Sequence, residues 1–279
     1  MADFKNVVRM ASRARRWLLS RSARFRLGTL VCVLSVVLLV LPSPYVVERP
    51  GPTANVLGEL DGSRVIDISG ADTHDDSGRL LLTTVNASGM PGSYVTNAEV
   101  LVGWLRSDEI VMPREAVVPS GQTADEYKQK TEQQMTSSQD AASSQALAFL
   151  QRRGMDVSGI RVSMHVNDIG GPSAGMMYAL GVIDRLTPDN ETGGQIIAGT
   201  GTMNEDGSIG AIGGIQLKMQ GAKRDGATWF LAPADNCSEV VGHVPNGMRD
   251  VRVSTLEEAY DALVAIGQGN GETLQHCAA

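Results

Sequence analysis

The sequence predicts an α+β fold, and three observations carry that expectation. Residues 48–118 alternate short apolar runs with Gly, Pro, Asp and Asn clusters, and runs such as RLLLTTV at 79–85 and EVLVGWL at 99–105 read as strands between polar turns. From Thr123 a Gln/Ser/Ala-rich stretch reads as a long helix with one narrow inward stripe. Residues 160–166 then alternate strictly, with Ile160, Val162, Met164 and Val166 on one side and Arg161, Ser163 and His165 on the other, the pattern of a half-buried strand.

The helix has a defined start and stop. Thr123-Ala-Asp-Glu126 has the form of a capping box, in which the two side chains satisfy amides that lack an intrahelical partner. Tyr127, Met135, Ala142, Leu147 and Leu150 are the expected inward positions, a break is expected along the way, and Gly154 ends the helix just after Arg153. In the alternating strand, His165 is expected to face away from the core.

Composition bounds the rest. With 42% hydrophobic residues over 279 positions the chain can bury a core, and 4% aromatics with 31 glycines make that core aliphatic and the connections tight. The net charge of −7 hides a polarity along the chain: residues 1–26 carry eight Lys and Arg against the single acid Asp3. A basic tail alone would admit nucleic acid as a partner. Here an uncharged run, LGTLVCVLSVVLLVLPSPYVV at 27–47, follows at once and reads as a membrane segment of about the ~20 residues a bilayer requires. Basic flanks stay cytoplasmic, so the tail is expected inside and residues 48–279 outside a cell membrane crossed once. A cleaved signal peptide is the rival reading, because Pro42 and Pro44 follow a short apolar centre, although no A-x-A-like site follows it.

Metal and cofactor chemistry is not expected. Cys32 lies in the apolar run, leaving Cys237 and Cys277, too few for a disulfide framework and enough for one bridge. These and His74, His165, His243 and His276 show no metal-ligand spacing. The acidic segment ADTHDDSG at 71–78 lacks the ligand alternation and terminal Glu of an EF-hand and reads as a solvated turn. Asn86-Ala-Ser88 matches a glycosylation sequon and carries no weight.

Two glycine-rich helix starts carry the chemistry. In the first, Asn167-Asp-Ile-Gly170-Gly171-Pro172-Ser173-Ala-Gly175 leads into an apolar helix-compatible run. A hydroxyl there sits among amides that have no intrahelical partner and can stabilise an oxyanion, and the small neighbours admit a substrate backbone. A simple helix cap at Ser173 is the bland alternative. In the second, a strand from Ile196 to Thr200, a turn at Glu205-Asp-Gly207 and the pair Gly213-Gly214 precede a helix with Lys218 in its first turn. Burial and the positive end of the helix dipole both disfavour an ammonium there, whereas Lys223 is expected to face solvent. No phosphate-binding G-x-x-x-x-G-K-[ST] string is present. Gly171-Pro-Ser-Ala-Gly175 also fits the G-x-S-x-G string of α/β-hydrolases, for which His243 or His276 would have to serve as base.

Gly171-Pro-Ser-Ala-Gly175, a strand ending in Thr200-Gly, and Ile212-Gly-Gly-x-x-x-Lys218 together resemble Lon-type serine–lysine peptidases, including the spacing from serine to lysine. Asp168–Gly175, Leu186-Thr-Pro, Ala198-Gly-Thr-Gly-Thr202 and Phe230-Leu-Ala-Pro-Ala-Asp-Asn-Cys237 look more specifically like the membrane-anchored Lon-like proteins of Gram-positive bacteria, and the similarity runs from about Pro42 to Glu258. The resemblance implies the Lon proteolytic-domain fold (ribosomal protein S5 domain 2-like) over 121–265, preceded by the tail 1–26, the anchor 27–47 and a β-rich part at 48–120, and followed by a tail at 266–279.

It further implies Ser173 as nucleophile, Lys218 as general base, Thr200 orienting the lysine amine, and amides near Gly171 to Ser173 as the oxyanion site, with Gly170 and Pro172 shaping the turn. Substrates would be exterior proteins or peptides, and association into a homo-oligomer fits the resemblance. Two departures stand out. The chain holds neither a Walker motif nor room for an ATPase module, so activity should be independent of ATP, and the PDZ domain usual in the anchored relatives is missing between Gly154 and Ile160. A membrane-tethered scaffold with an inactive peptidase fold is the alternative function.

Overall fold

The computed structural model describes residues 17, 20–60, 62–118, 121, 123–164 and 172–278. The expectations for the basic tail up to residue 16, for His165 and for Gly170 and Gly171 lie outside the described residues.

Helix α1 (Ala23–Val40) is capped by Ser22, and none of its residues is buried. Its 18 residues span about 27 Å and have a mean hydropathy of 2.0, long and apolar enough to cross a membrane. The apolar run predicted as anchor does not all belong to this helix: Tyr45, Val46 and Val47 open strand β1 (Tyr45–Asn55), because Pro42 and Pro44 end the helix first.

Strands β2 (Glu59–Leu60) and β3 (Ser63–Arg64) form a small hairpin, and β4 (Ile66–Ser69) follows. Strand β5 (Arg79–Ser88) lies antiparallel to β1, as the RLLLTTV run predicts. The EVLVGWL run, by contrast, belongs to helix α2 (Asn97–Gly103). A short apolar run does not distinguish strand from helix, and here Thr96 and Glu99 form a reciprocal capping box that starts a helix instead. Strand β6 (Ile110–Pro113) pairs with β1 on its other edge.

Helix α3 (Ala124–Arg152) starts at the predicted Thr123–Glu126 capping box. It is continuous, without the expected break, as the absence of Gly and Pro between 123 and 153 allows. Ala142 and Leu150 are buried, while Tyr127, Met135 and Leu147 are only half-buried. Ser138, Ala146 and Phe149 complete the inward stripe. Gly154 follows with φ +90° and closes the helix end by its bond to Gln151 O. Strand β7 (Arg161–Met164) pairs antiparallel with β4 and presents Val162 and Met164 inward.

The remaining elements are helix α4 (Gly175–Leu186), strand β8 (Ile196–Gly199), the hairpin β9 (Thr202–Met203) and β10 (Ile209–Gly210), and helix α5 (Ile215–Arg224). Strand β11 (Trp229–Pro233), the short α6 (Cys237–Val240), strand β12 (Arg249–Val253) and helix α7 (Leu256–Gly267) complete the chain.

The central sheet runs β12-β11-β8-β5-β1-β6, parallel from β12 to β5 and antiparallel from β5 to β6. Strands from the region before residue 120 therefore share one sheet with those after it. Successive residues of its strands point to opposite faces. Leu80, Leu82, Ile197 and Leu231 face a core shared with α3, α4 and α7, whereas Leu81, Ala198, Phe230 and Ala232 face a second core under α5. All twelve residues of α4 are buried, so it is an interior helix between α3 and the sheet. Cys237 and Cys277 form a disulfide beside the second core, with Cα atoms 4.9 Å apart.

Candidate active site

The turn before α4 places Ser173 in a single 3₁₀ turn, Pro172–Ala174. Ala174 occupies the N-cap position of α4 and no side chain caps it, so Ser173 is not the capping residue. The backbone of this turn is clamped from two sides. Ser138 Oγ on α3 donates to Pro172 O over 2.7 Å, while Gly201 N donates to Ser173 O over 2.8 Å and Met176 N donates back to Gly201 O over 3.0 Å. Close approach makes this possible: a Cβ at Gly175 would lie 2.5 Å from Ser138 Oγ and 2.7 Å from Met203 N.

Lys218 reaches the same point from the other face of the sheet. Its helix begins at Gly214, whose φ of +68° suits glycine, and a Cβ there would lie 2.9 Å from Val85 Cγ1 and 3.5 Å from Glu48 Oε2. Lys218 stands in the first turn with its amide bonded to Gly214 O, and only 3% of the residue is exposed. Its Nζ donates to Thr200 Oγ1 over 3.1 Å, and Thr200 Oγ1 donates to Ser173 O over 3.0 Å. Thr200 is fully buried at the end of β8. A hydroxyl has one proton to give, so with that proton on Ser173 O its lone pairs face the lysine nitrogen.

The electrostatics follow from burial. Desolvation lowers the Lys218 pKa from 10.5 to about 8, opposed by the charge of Glu48. Glu48 on β1 is itself buried, which raises its pKa, while Lys218 opposes the shift. Its carboxylate also sits against Gly214 at the N-terminus of α5, where the helix dipole favours a negative charge. Sequence reasoning missed Glu48. The available signal was one carboxylate directly after the apolar pair Val46–Val47 in a run that otherwise reads as a buried strand.

The other predicted groups lie elsewhere. His243 and His276 are both exposed, and His243 Nδ1 faces Val241 O. Lys223 is half-buried rather than fully solvated, with Nζ donating to Gly247 O over 3.0 Å. A groove of about 560 Å³ runs beside Pro172 between α3 and the β9–β10 hairpin, lined by Gln133, Ser137, Ser138, Thr202 and Asn204 among others.

Such a constellation, a serine on a clamped turn whose carbonyl is tied through a buried threonine to a lysine of lowered pKa, is suited to a base that takes a proton from a nearby hydroxyl, and the groove passes the neighbouring Pro172. Comparison with known proteins agrees with that chemistry. Residues 103–266 match the family model of the Lon protease (S16) C-terminal proteolytic domain. Lon protease 2 of Bacillus subtilis (strain 168) is 29% identical over 126 residues, covering 42% of this chain and 21% of that protein. Lon protease of Clostridioides difficile (strain 630) is 36% identical over 104 residues, 36% of this chain and 13% of that one. Lon protease 2 of Herpetosiphon aurantiacus is 34% identical over 137 residues, 46% of this chain and 16% of the relative. The chain thus spans about a fifth or less of the length of each of these relatives.

Proposed function

Because the chain belongs to the family of Lon protease (S16) C-terminal proteolytic domains, matched over more than half its length, we propose that it is a serine endopeptidase working through Ser173 and Lys218. The observation that carries this reading is the buried chain of hydrogen bonds from Lys218 Nζ through Thr200 Oγ1 to the carbonyl of Ser173. Neutral Lys218 takes the Ser173 hydroxyl proton as Oγ attacks a peptide carbonyl. The resulting ammonium returns that proton to the departing amine, leaving an acyl-enzyme. Lys218 then deprotonates the water that releases the acid product. Thr200 holds the amine by accepting one of its N–H bonds, which leaves the nitrogen lone pair for the serine proton.

We read α1 as a membrane anchor, with the domain exterior to a cytoplasmic N-terminus. Three observations support this. The helix is apolar with no residue buried, and Arg24 and Arg26 stand at its N-terminal end. At the other end Asn97 Nδ2 donates to Leu38 O over 2.9 Å, bringing α2 beside α1, and the exposed Leu101, Trp104 and Leu105 follow there, suited to a lipid interface. Finally, the Cys237–Cys277 disulfide belongs to an oxidising compartment. With no Walker motif in the sequence, hydrolysis is independent of ATP and acts on unstructured exterior polypeptides.

The test uses the full chain in detergent micelles with an unfolded protein substrate and no nucleotide. Wild type cleaves it and is labelled by a serine-reactive phosphonate. Ser173→Ala and Lys218→Ala each lose cleavage by about 10³-fold or more, with Ser173→Ala keeping the wild-type unfolding midpoint and Lys218→Ala still unfolding cooperatively at a shifted one. Full cleavage by either variant removes the mechanism.

A further inference from the structure

The loop at 71–78, read from the sequence as a solvated turn, sends one of its acids inward. Residues 71–75 are exposed, but Asp76 is half-buried and its carboxylate meets Asp184 from the last turn of α4 and Glu191 from the segment before β8. One carboxylate oxygen from each lies within 4.8 Å of the others.

The three acids differ in how the protein satisfies them. Asp76 accepts from Gly78 N over 2.7 Å and from the amide and hydroxyl of Thr192, which hold it ionised and below the usual carboxylate range despite its burial. Glu191 accepts from the hydroxyls of Thr187 and Tyr260 on one oxygen, and its Oε2 has no partner. Asp184 is 1% exposed, and among the described residues its oxygens meet no donor of another residue, only the carboxylate of Asp76, with which it can share a proton. Arg185, next in the chain, does not supply a donor, because it turns its guanidinium to Asp75 and Thr73. Three acids converging in the interior with no basic side chain among them is a costly arrangement that only a bound proton or a cation completes.

We propose that Asp76, Asp184 and Glu191 form a binding site for a single divalent cation of the size and hardness of Ca²⁺. The donors are all oxygens, which selects hard cations over those that prefer His or Cys. Ca²⁺ holds its ligands at about 2.3–2.6 Å, so two of its ligand oxygens stand at most about 5.2 Å apart, and the 4.8 Å limit on this triad falls within that span. Without the cation, burial first and then the neighbouring carboxylates push the Asp184 pKa up to about 9, so its proton stands where the cation would; binding releases that proton and leaves all three acids ionised. The sequence offered no such site, since its ligands come from three separate segments and none is a His or Cys.

The cation fastens the 71–78 loop and the 187–192 segment to the C-terminal end of α4, the helix whose other end follows Ser173. Its role is therefore to fix the helix that follows the Ser173 turn, and it takes no part in bond cleavage. For an exterior domain, an affinity near the ~10⁻⁴–10⁻³ M of extracellular calcium modules suffices.

Full chain in micelles, stripped with EDTA and titrated with CaCl₂, tests this by calorimetry and thermal unfolding. Wild type is expected to bind one Ca²⁺ per chain and to gain about 5 °C or more in midpoint at a hundredfold excess over Kd. Asp184→Asn and Glu191→Gln each weaken binding at least tenfold and lose most of that gain; if one variant does not fold, the other decides. No heat and no shift at about 10 mM, an order of magnitude above the weakest extracellular modules, overturns the site. So does an undiminished shift in the variants. A calcium-independent rise in the midpoint of Asp184→Asn, with no response in wild type, would instead identify Asp184 as a neutral acid sharing its proton with Asp76.

Discussion

Lys218 and Thr200 meet inside the protein, amine nitrogen to hydroxyl oxygen at 3.1 Å, with neither group open to solvent. A lysine in bulk water is protonated at any physiological pH and cannot serve as a base. Burial brings this one down to about 8. The expected pH profile of kcat/KM therefore has a rising limb with its midpoint near 8, with the neutral amine as the active form, and a peptide cleavage assay from neutral to alkaline pH measures it. Stability moves in the same direction. Because the folded pKa lies below the unfolded value of 10.5, the unfolded chain binds more protons between about 8 and 10.5, and this residue's contribution rises with pH across that window. A limb centred at the ordinary lysine value would show that the amine is hydrated in the working enzyme.

Glu48 sets where that limb falls. Its charge raises the Lys218 pKa against the dominant effect of burial, so Glu48→Gln removes the opposing influence found among the described residues. The rising limb should move to lower pH, because the ammonium loses the neighbouring negative charge that favours it. At neutral pH the variant then holds more of its lysine neutral. Activity there stays near wild type or rises, while the alkaline plateau stays level or falls slightly. A residue that only supported the fold would lower the plateau and leave the midpoint in place.

Gly175 is fixed by contact. Its missing Cβ would collide with Ser138 Oγ at 2.5 Å and with the backbone nitrogen of Met203 at 2.7 Å, and the second neighbour cannot swing aside. Gly175→Ala should cost about 1–3 kcal/mol, the usual range for overpacking, and lower the unfolding midpoint by several degrees. Activity falls further than stability, by about 10- to 100-fold, because relief of the clash shifts the Pro172–Ala174 turn that presents Ser173. Thermal unfolding alongside active-site labelling separates the two effects; loss of both in proportion would mean that the turn itself had not moved.

These residues differ in how much of their role could be read before the fold was known. Ser173, Thr200 and Lys218 sit in short motifs with local physical meaning, and the glycines around them announce turns and close approaches. Thr200 and Lys218 are joined across only 18 positions, through one hairpin and one helix start. Glu48 lies 125 positions before Ser173, and its place is set by β1 pairing with β5 under α5, a tertiary fact without a local signature. The EVLVGWL run was misleading because a seven-residue apolar stretch has no decisive period, and the Thr96–Glu99 cap was the signal that could have settled it. Asp76, Asp184 and Glu191 escaped for the same reason as Glu48, being gathered by the fold from three segments.

The disulfide offers a check on both stability and orientation. Cys237 starts α6, and Cys277 lies near the end of the chain, 40 positions on, so the bridge closes a long loop in the unfolded state. The loop-entropy relation gives about 4 kcal/mol for a closure of that length. Both sulfurs adjoin the core under α5, where Ile215 and Met219 pack, so the bridge steadies the layer from which Lys218 projects. A Cys237→Ser/Cys277→Ser double variant should unfold roughly 8–16 °C below wild type, at about 2–4 °C per kcal/mol for a chain of this size, while retaining most of its activity well below that midpoint. Wild type unfolded under strong reductant should match it. The oxidation state in the cell then bears on topology: thiol counting on protein taken directly from membranes should find Cys237 and Cys277 paired, as an oxidising exterior requires. Two free thiols at those positions would instead place the peptidase domain on the reducing side of the membrane and reverse the orientation proposed for α1.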